Sequence, residues 1–504
     1  MRSLPRPTAQ ELFGPAGTPR AVVIGAGMGG IAAGVKLRQA GIPTFTIYES
    51  SDGVGGTWWD NTYPGAEVDV HSALYSYSFK SYGWTRTHAR QPELQAYLRE
   101  TVDQFGLGPH LELGVAVDSA TWDDDRHVWT VTLGTGTVVE CEVLISAVGF
   151  LNVPRYPDWP GLDSFRGASF HTSRWEHQHD LSGRTVAVVG TGSSATQVVP
   201  ALQPMVGTLY VFQREPGWVL PKGEREFTEA ERRRLDRPWR RARDRAWSRL
   251  TLEWSLIGAA TFRPGTKLNA KRQQTCLDYI AREFADRPDL GKAVTPTYPY
   301  PGKRPVIAST FYPALRADNV ELVPKAVSQV TPSGIVDADG VERPVDVIVM
   351  ATGFRAADYL ARVRVVGRRG ETLQDRWSGE PRAYLGITVP DFPNFFMLYG
   401  PGTNGGELVS MLEAQAEYAV RAVKGMVRRR VSAVEVRPLF EALWFVWLQA
   451  RMEGTSWTMT HNYFRSPTGR IVTQWPSGNL VYRAITKALG RVSETTRRRQ
   501  VTVS

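Results

Sequence analysis

A chain of 504 residues, 42% apolar and 22% charged, has room for two or three domains and the balance of an ordinary globular protein. Its two cysteines, Cys141 and Cys276, are too few and too far apart for a disulfide framework or a thiolate metal site, which points to a reducing cytoplasm. No apolar run approaches the roughly 18–20 residues that span a bilayer, and MRSLPRPTAQELFGPAGTPR at the N-terminus lacks the apolar core of a secretory signal.

After this polar arm comes AVVIGAGMGGIAAGVKLRQAG, which reads as strand, glycine turn and helix, with FTIYE as the next strand. Gly25, Gly27 and Gly30 follow an apolar strand and open a helix. That is the context in which a pyrophosphate approaches unpaired N–H groups at a helix N-terminus. Glu49 ends the following strand, where a carboxylate accepts from a ribose 2′-hydroxyl and repels a 2′-phosphate. The site therefore suits FAD or NAD and excludes NADP.

Further along, WTVTL and VVECEVLISAVG read as strands. Phe165 to Glu176, FRGASFHTSRWE, shows neither helical nor strand period. A second strand–turn–helix unit begins at TVAVVGTGSSATQVVPAL, with Gly190, Gly192, Ser193 and Ala195 in its loop. The strand after it ends in Gln213 and Arg214, and arginine's planar fork suits a 2′-phosphate. Glu215, next in line, is an unfavourable neighbour for that phosphate, so the preference for NADPH is expected to be moderate. Two dinucleotide loops of opposite phosphate preference imply a flavoprotein reduced by a nicotinamide.

Residues 222–295 are long, charged and helical, opened by the capping-box spacing of Thr228 and Glu231 and interrupted by Pro238, so at least two helices are expected. Residues 231–250 carry nine arginines against three acids. Leu235, Trp239, Ala242, Ala246, Leu250 and Trp254 recur at helical spacing and predict a buried apolar stripe with the arginines as the solvated face. On that ground neither a nucleic acid nor a membrane is expected as partner. A strand signal returns at VDVIVMATGF, and RRRQVTVS reads as a frayed basic tail.

The reaction is narrowed by what is missing. A disulfide reductase needs a nearby cysteine pair, and a hydrolase needs a G-x-S-x-G elbow; neither is present. His171, His177 and His179 lack clustered partners, and no metal site is expected.

FRGASFHTSRW carries the spacing F-x-G-x-x-x-H-x-x-x-W through Phe165, Gly167, His171 and Trp175. GGTWWDNTYPGAEVD, Gly55 to Asp69, meets G-G-x-W-x-x-x-x-Y-P-G-x-x-x-D. With VDVIVMATGF and YLGITVPDFPNFFMLYGP, these stretches resemble the Baeyer–Villiger monooxygenases over about residues 20 to 480. Glu176 departs from the family's usual proline or aspartate.

The resemblance implies an α/β fold of two dinucleotide-binding, Rossmann-like domains. The FAD domain would be discontinuous, residues 1–149 with 352–504, and the NADP domain 150–351 would carry the helical insert of about 222–295. It implies a flavin peroxide that inserts one atom of O2 next to a ketone carbonyl, giving an ester or lactone at the expense of NADPH. It places Arg304 at the flavin with Asp69 orienting it, Lys303 at the 2′-phosphate, and Trp457 on the nicotinamide side. Gly56, Thr57 and Trp58 would contact cofactor, and Phe165, Gly167, His171 and Trp175 would couple the domains. Oxygenation of sulfur or nitrogen, or electron transfer to a partner protein, stay open as alternatives. A cytoplasmic monomer or weak homo-oligomer is expected.

Overall fold

The computed structural model describes residues 7–235, 237–490 and 493–499. Two five-stranded parallel sheets organise it. The first runs, in spatial order, Phe395–Met397, Val143–Ser146, Ala21–Ile24, Phe45–Glu49 and Leu111–Leu113. The second runs Val320–Val323, Thr208–Phe212, Thr185–Val189, Val347–Met350 and Ala168–His171. Strands such as AVVI and VIVM are buried at every position, as a parallel sheet covered on both faces requires.

In each sheet a glycine loop leaves the central strand at the point where the strand order reverses, the crevice in which doubly wound sheets bind nucleotides. Phe395–Met397 pairs with Val143–Ser146, so chain from both sides of the second sheet builds the first. Helix Met28–Gln39 is buried around most of its circumference, between the first sheet and helix Leu408–Arg429. An antiparallel meander, Val117–Asp123, Val128–Leu133 and Val138–Cys141, lies beside the first sheet, as the two predicted strand stretches required.

Three local readings change. The stretch without visible period contains a strand after all, because Ala168–His171 is too short to show alternation yet pairs along the edge of the second sheet. The tail is pinned over its described part. Glu494–Arg497 pairs with Ala433–Val436, and Arg497 meets Asp124 at 2.9 Å; residues 500–504 lie outside the described residues.

The third change concerns the arginine-rich segment. It forms two helices, Glu229–Leu235 and Pro238–Leu256, with the expected capping box, Thr228 donating to Glu231 at 2.9 Å and Glu231 donating back at 3.3 Å. The apolar stripe, however, faces out. Trp239, Leu250 and Trp254 are 56%, 50% and 68% exposed, and Ala242 and Ala246 are exposed beside them. The inward face carries Arg245, whose guanidinium donates to the carbonyls of Ser76 and Tyr77, both at 2.6 Å. Arg249 pairs with buried Glu407 at 3.1 Å, and Glu253 accepts from the Asn479 amide at 2.8 Å. Buried acceptors from distant segments, costly to leave unsatisfied, turned the charged face inward.

Candidate active site

The cleft between the two sheets is a cavity of about 1830 Å³ lined by both glycine loops. This exceeds the roughly 300–1,000 Å³ of a site for one small ligand. Gly25 and Gly190 have φ of 98° and 121°, the left-handed side that glycine tolerates. A Cβ on Gly30 would stand 1.8 Å from the Gly25 carbonyl oxygen, so the helix can start this close to the strand only without a side chain. A Cβ on Gly192 would meet nothing within 4 Å and would project into the cavity. Helices Met28–Gln39 and Ser193–Leu202 begin at Gly27 and Gly192 with no side-chain cap, so their first N–H groups are left for an anion.

Glu49 is buried and oriented. One carboxylate oxygen accepts from the Ala26 amide at 2.7 Å and the other from the Ser51 amide at 2.9 Å. The segment Gly55–Trp58 packs on the first loop: the Gly55 amide donates to the Ala26 carbonyl at 3.0 Å, and a Cβ on Gly56 would press on the Gly27 Cα. Thr57 begins a short helix, and Trp58 donates its indole N–H to the Tyr75 hydroxyl at 3.1 Å. These features form a cradle that a dinucleotide pyrophosphate and ribose fit.

Across the cavity, Arg214 is exposed and makes no hydrogen bond or ion pair among the described residues, while Lys303 is ion-paired with Glu215. Ser193 opens the second helix at the cavity wall. Trp457 lines the cavity from a buried position, its ring 4.3 Å from that of Phe262.

Arg304 and Asp69 are far apart in sequence and meet here, Nη2 to Oδ2 at 2.8 Å. Strand Val306–Ile307 pairs with Val219–Leu220 on one side of the Arg304 loop. On the other, Gly302 is pressed against Thr460 and its carbonyl accepts from Asn462 at 2.9 Å. Burial works against the guanidinium charge, but the Asp69 carboxylate outweighs it and holds its pKa above the ordinary value, with Tyr463, Tyr399 and Tyr75 gathered around it. Burial also pushes the Tyr75 phenol up to about 12, so this group is a neutral hydrogen-bonding partner beside a permanent cation.

The periodless segment runs along the edge of the second sheet. His171 is fully buried. Its Nδ1 accepts from the Ser173 amide at 3.1 Å, which leaves Nε2 to donate to the Gly353 carbonyl at 3.1 Å. Trp175 sits edge-on to Phe170 at 5.0 Å, and a Cβ on Gly167 would strike the Phe165 ring at 2.6 Å, which explains the F-x-G spacing. Glu176 turns aside to His179 at 2.9 Å.

Sequence reasoning missed several residues at this junction. Arg174 pairs with Asp60 at 3.1 Å, and Lys222 pairs with Glu67 at 2.8 Å. Gln197 donates to the Glu67 carbonyl at 2.9 Å and accepts from the Tyr63 hydroxyl at 2.8 Å. Asp60, Tyr63 and Glu67 lie within the quoted Gly55–Asp69 pattern, a signal that was available. Tyr399 lies within YLGITVPDFPNFFMLYGP, and Tyr75 and Tyr463 carried no such signal.

The match to a pyridine nucleotide-disulphide oxidoreductase family model covers residues 22–221. The dithiol chemistry of that description does not apply, since both cysteines are buried in separate core clusters and burial pushes the Cys276 thiol up to about 12. A Baeyer–Villiger monooxygenase of Pseudomonas aeruginosa is 38% identical over 93% of this chain and 89% of its own length. The closed crystal structure of cyclohexanone monooxygenase matches with a TM-score of 0.86 at 30% identity, covering 95% of this chain and 99% of the other. An oxidized steroid monooxygenase bound to NADP matches with the same score, identity and coverage. Two nucleotide loops, a paired cation between them and full-length similarity converge, and the chain belongs to the Baeyer–Villiger monooxygenase family.

Proposed function

We propose that the cavity inserts one oxygen atom of O2 beside a ketone carbonyl, giving an ester or lactone, with FAD at the Gly25 loop, NADPH at the Gly190 loop, and Arg304 and Asp69 as the catalytic pair. The observation that carries this reading is the Arg304–Asp69 ion pair on the cavity wall between the two loops. When bound, FAD and NADPH together supply the electrons that activate dioxygen.

The chain's own residues do the rest. Gly25, Gly27 and Gly30 admit the flavin's pyrophosphate to the first helix N-terminus, Glu49 takes the ribose hydroxyls, and Gly56, Thr57 and Trp58 close the cradle. Gly190, Gly192 and Ser193 do the same for the nicotinamide cofactor, Arg214 and Lys303 read its 2′-phosphate, and Trp457 walls the nicotinamide side. Arg304 presents a fixed charge to the negative charge that develops on the reacting oxygens. Such preorganised donors act strongly where water is excluded. Asp69 orients it and keeps it charged. Phe165, Gly167, His171 and Trp175 couple the units, His171 through its bond to the Gly353 carbonyl on the segment that leads from strand Val347–Met350 back into the FAD domain. In this reading the FAD domain comprises residues 1–149 and 352–504 and the NADP domain 150–351, and the enzyme works in the cytoplasm.

The test is a panel of cyclic, linear and steroidal ketones under air with NADPH and no partner protein, scored by a mass gain of one oxygen. Sulfides and amines run alongside. Ester or lactone product from a yellow protein that releases FAD supports the reading. Oxygenation of sulfides or amines alone, or no oxygen uptake without a partner, overturns it.

A further inference from the structure

The inverted helix leaves a surface that the chemistry of the cavity does not use. Along Pro238–Leu256 the outward face is Trp239, Ala242, Arg243, Ala246, Trp247, Leu250, Thr251 and Trp254, with Trp247 69% exposed. Helix Pro438–Met452 repeats the pattern, with Leu439, Leu443 and Val446 exposed by 65%, 57% and 66%. The two faces are joined. Trp447 packs on Trp475 with ring centroids 6.0 Å apart, and the Trp475 indole donates to the Gly478 carbonyl at 3.1 Å. Glu253 accepts from the Leu480 amide at 3.1 Å, and Leu480 and Val481 are themselves half exposed.

Taking about 250 Å² for a tryptophan side chain, the three exposed tryptophans of the first helix alone leave on the order of 500 Å² open. That area lies within the about 300–600 Å² of the largest patch on a typical monomer, a size that is often functional.

We propose that this face docks the enzyme on the surface of an anionic lipid bilayer. Charge selects this occupant over a second copy of the chain. Nine arginines stand against three acids over residues 231–250; Arg233 is paired with Glu229, and Arg234 and Arg243 with Asp244, which leaves an excess of positive charge to which exposed Arg232 and Arg237 contribute, and Arg240 and Arg243 stand over the Trp239 ring at 5.0 Å and 5.7 Å. A two-fold pairing of this face would set one arginine rim against another, because an isologous interface repeats the same patch. A layer of anionic headgroups over acyl chains matches both features, since tryptophan sits at the headgroup level and arginine binds the anions.

No helix among the described residues is long and apolar enough to cross a membrane, and the proposal is of surface contact only. The same helix turns Leu252 and Leu256 toward the cavity. The docking face is therefore the outer side of one wall of the reaction chamber, and an apolar ketone dissolved in the bilayer would lie beside it.

The experiment is flotation of the FAD-loaded enzyme with vesicles of phosphatidylcholine alone and of phosphatidylcholine mixed with phosphatidylglycerol. It reads binding without turnover, so its result is independent of the reaction assigned to the cavity. The expected result is binding to the mixed vesicles only, reversed at about 1 M salt, where the screening length is about 3 Å. Trp247→Ala with Trp254→Ala should weaken it about tenfold or more. Arg232→Glu with Arg243→Glu should do the same. All four side chains are exposed, and retention of bound-flavin absorbance in both double variants confirms their folding. Equal binding to both vesicle types overturns the role of charge. Failure to bind either, together with a concentration-dependent dimer that the tryptophan variant dissociates, shows that a second copy covers the face. Failure to bind with a monomer at every concentration overturns the proposal outright.

Discussion

Replacing Arg304 by alanine removes the guanidinium that opposes the Asp69 carboxylate at 2.8 Å, and the carboxylate side chain is 12% exposed. The cavity wall then changes from a neutralised pair to a bare anion facing the reacting oxygens. Loss of one preorganised donor costs about 10²–10³ in rate, or about 2.7–4 kcal/mol. The uncompensated carboxylate adds repulsion, so the expected loss of ester or lactone formation lies at or beyond the upper end. FAD binding should persist, because among the described residues Glu49 is held by the Ala26 and Ser51 amides and the Gly25 loop packs on Gly55 and Gly56, none of them part of the Arg304 loop.

Asp69→Ala should push the same way by a smaller factor, since it orients the cation without supplying it. Arg304→Lys keeps the charge and loses the planar fork, and should fall between wild type and alanine. The assay is product analysis under air with NADPH oxidation and hydrogen peroxide followed in parallel. Any NADPH still consumed by Arg304→Ala should appear as hydrogen peroxide. Near wild-type ester yield from Arg304→Ala would refute the reasoning and move the cation to another residue.

Three further outcomes are expected. Arg214→Ala should narrow the preference for NADPH over NADH in kcat/KM by roughly 1.5–3 kcal/mol, the range for hydrogen bonds to a charged group; Glu215→Gln, by releasing Lys303, should widen it, and a wild-type preference for NADH would contradict both. Gly192→Ala, with open space around the new methyl and an extended φ of −81°, should leave stability within about 0.5 kcal/mol while raising KM for NADPH, so thermal melts and kinetics must separate. His171, which burial pushes down from 6.5 to about 4 against the raising effect of its bond to Gly353, is neutral in the fold where the unfolded chain takes up a proton. Its contribution is complete above the unfolded value and is lost as pH falls toward the folded one, by up to roughly 3 kcal/mol. Denaturant melts at about pH 7.5 and about pH 4.5 should show that His171→Gln loses less stability on acidification than wild type; an equal loss would show that other groups, buried His88 among them, carry the slope.

The nucleotide chemistry was legible in the sequence because it is local. Gly25 to Glu49 lie within one strand–turn–helix–strand unit, and so do Gly190 to Arg214, where the turn, the uncapped helix start and the residue ending the next strand are set by neighbours a few positions away. The F-x-G spacing is local in the same sense, Gly167 making room for the Phe165 ring. The short strand at Ala168–His171 escaped because four residues on a sheet edge carry too little alternation to be distinguished.

Whatever depends on partners from distant segments was decided by the tertiary structure. Periodicity identifies the apolar face of Pro238–Leu256 but not the direction it points. The carbonyls of Ser76 and Tyr77 and the carboxylate of Glu407, all remote in the chain, drew Arg245 and Arg249 inward and left the tryptophans outside. In the same way the gathering of Tyr75, Tyr399 and Tyr463 around Arg304, and the capture of Lys303 by Glu215, arise only when the two sheets face one another across a common cavity. A charge chooses among the acceptors brought within reach, and that set is a property of the packed fold.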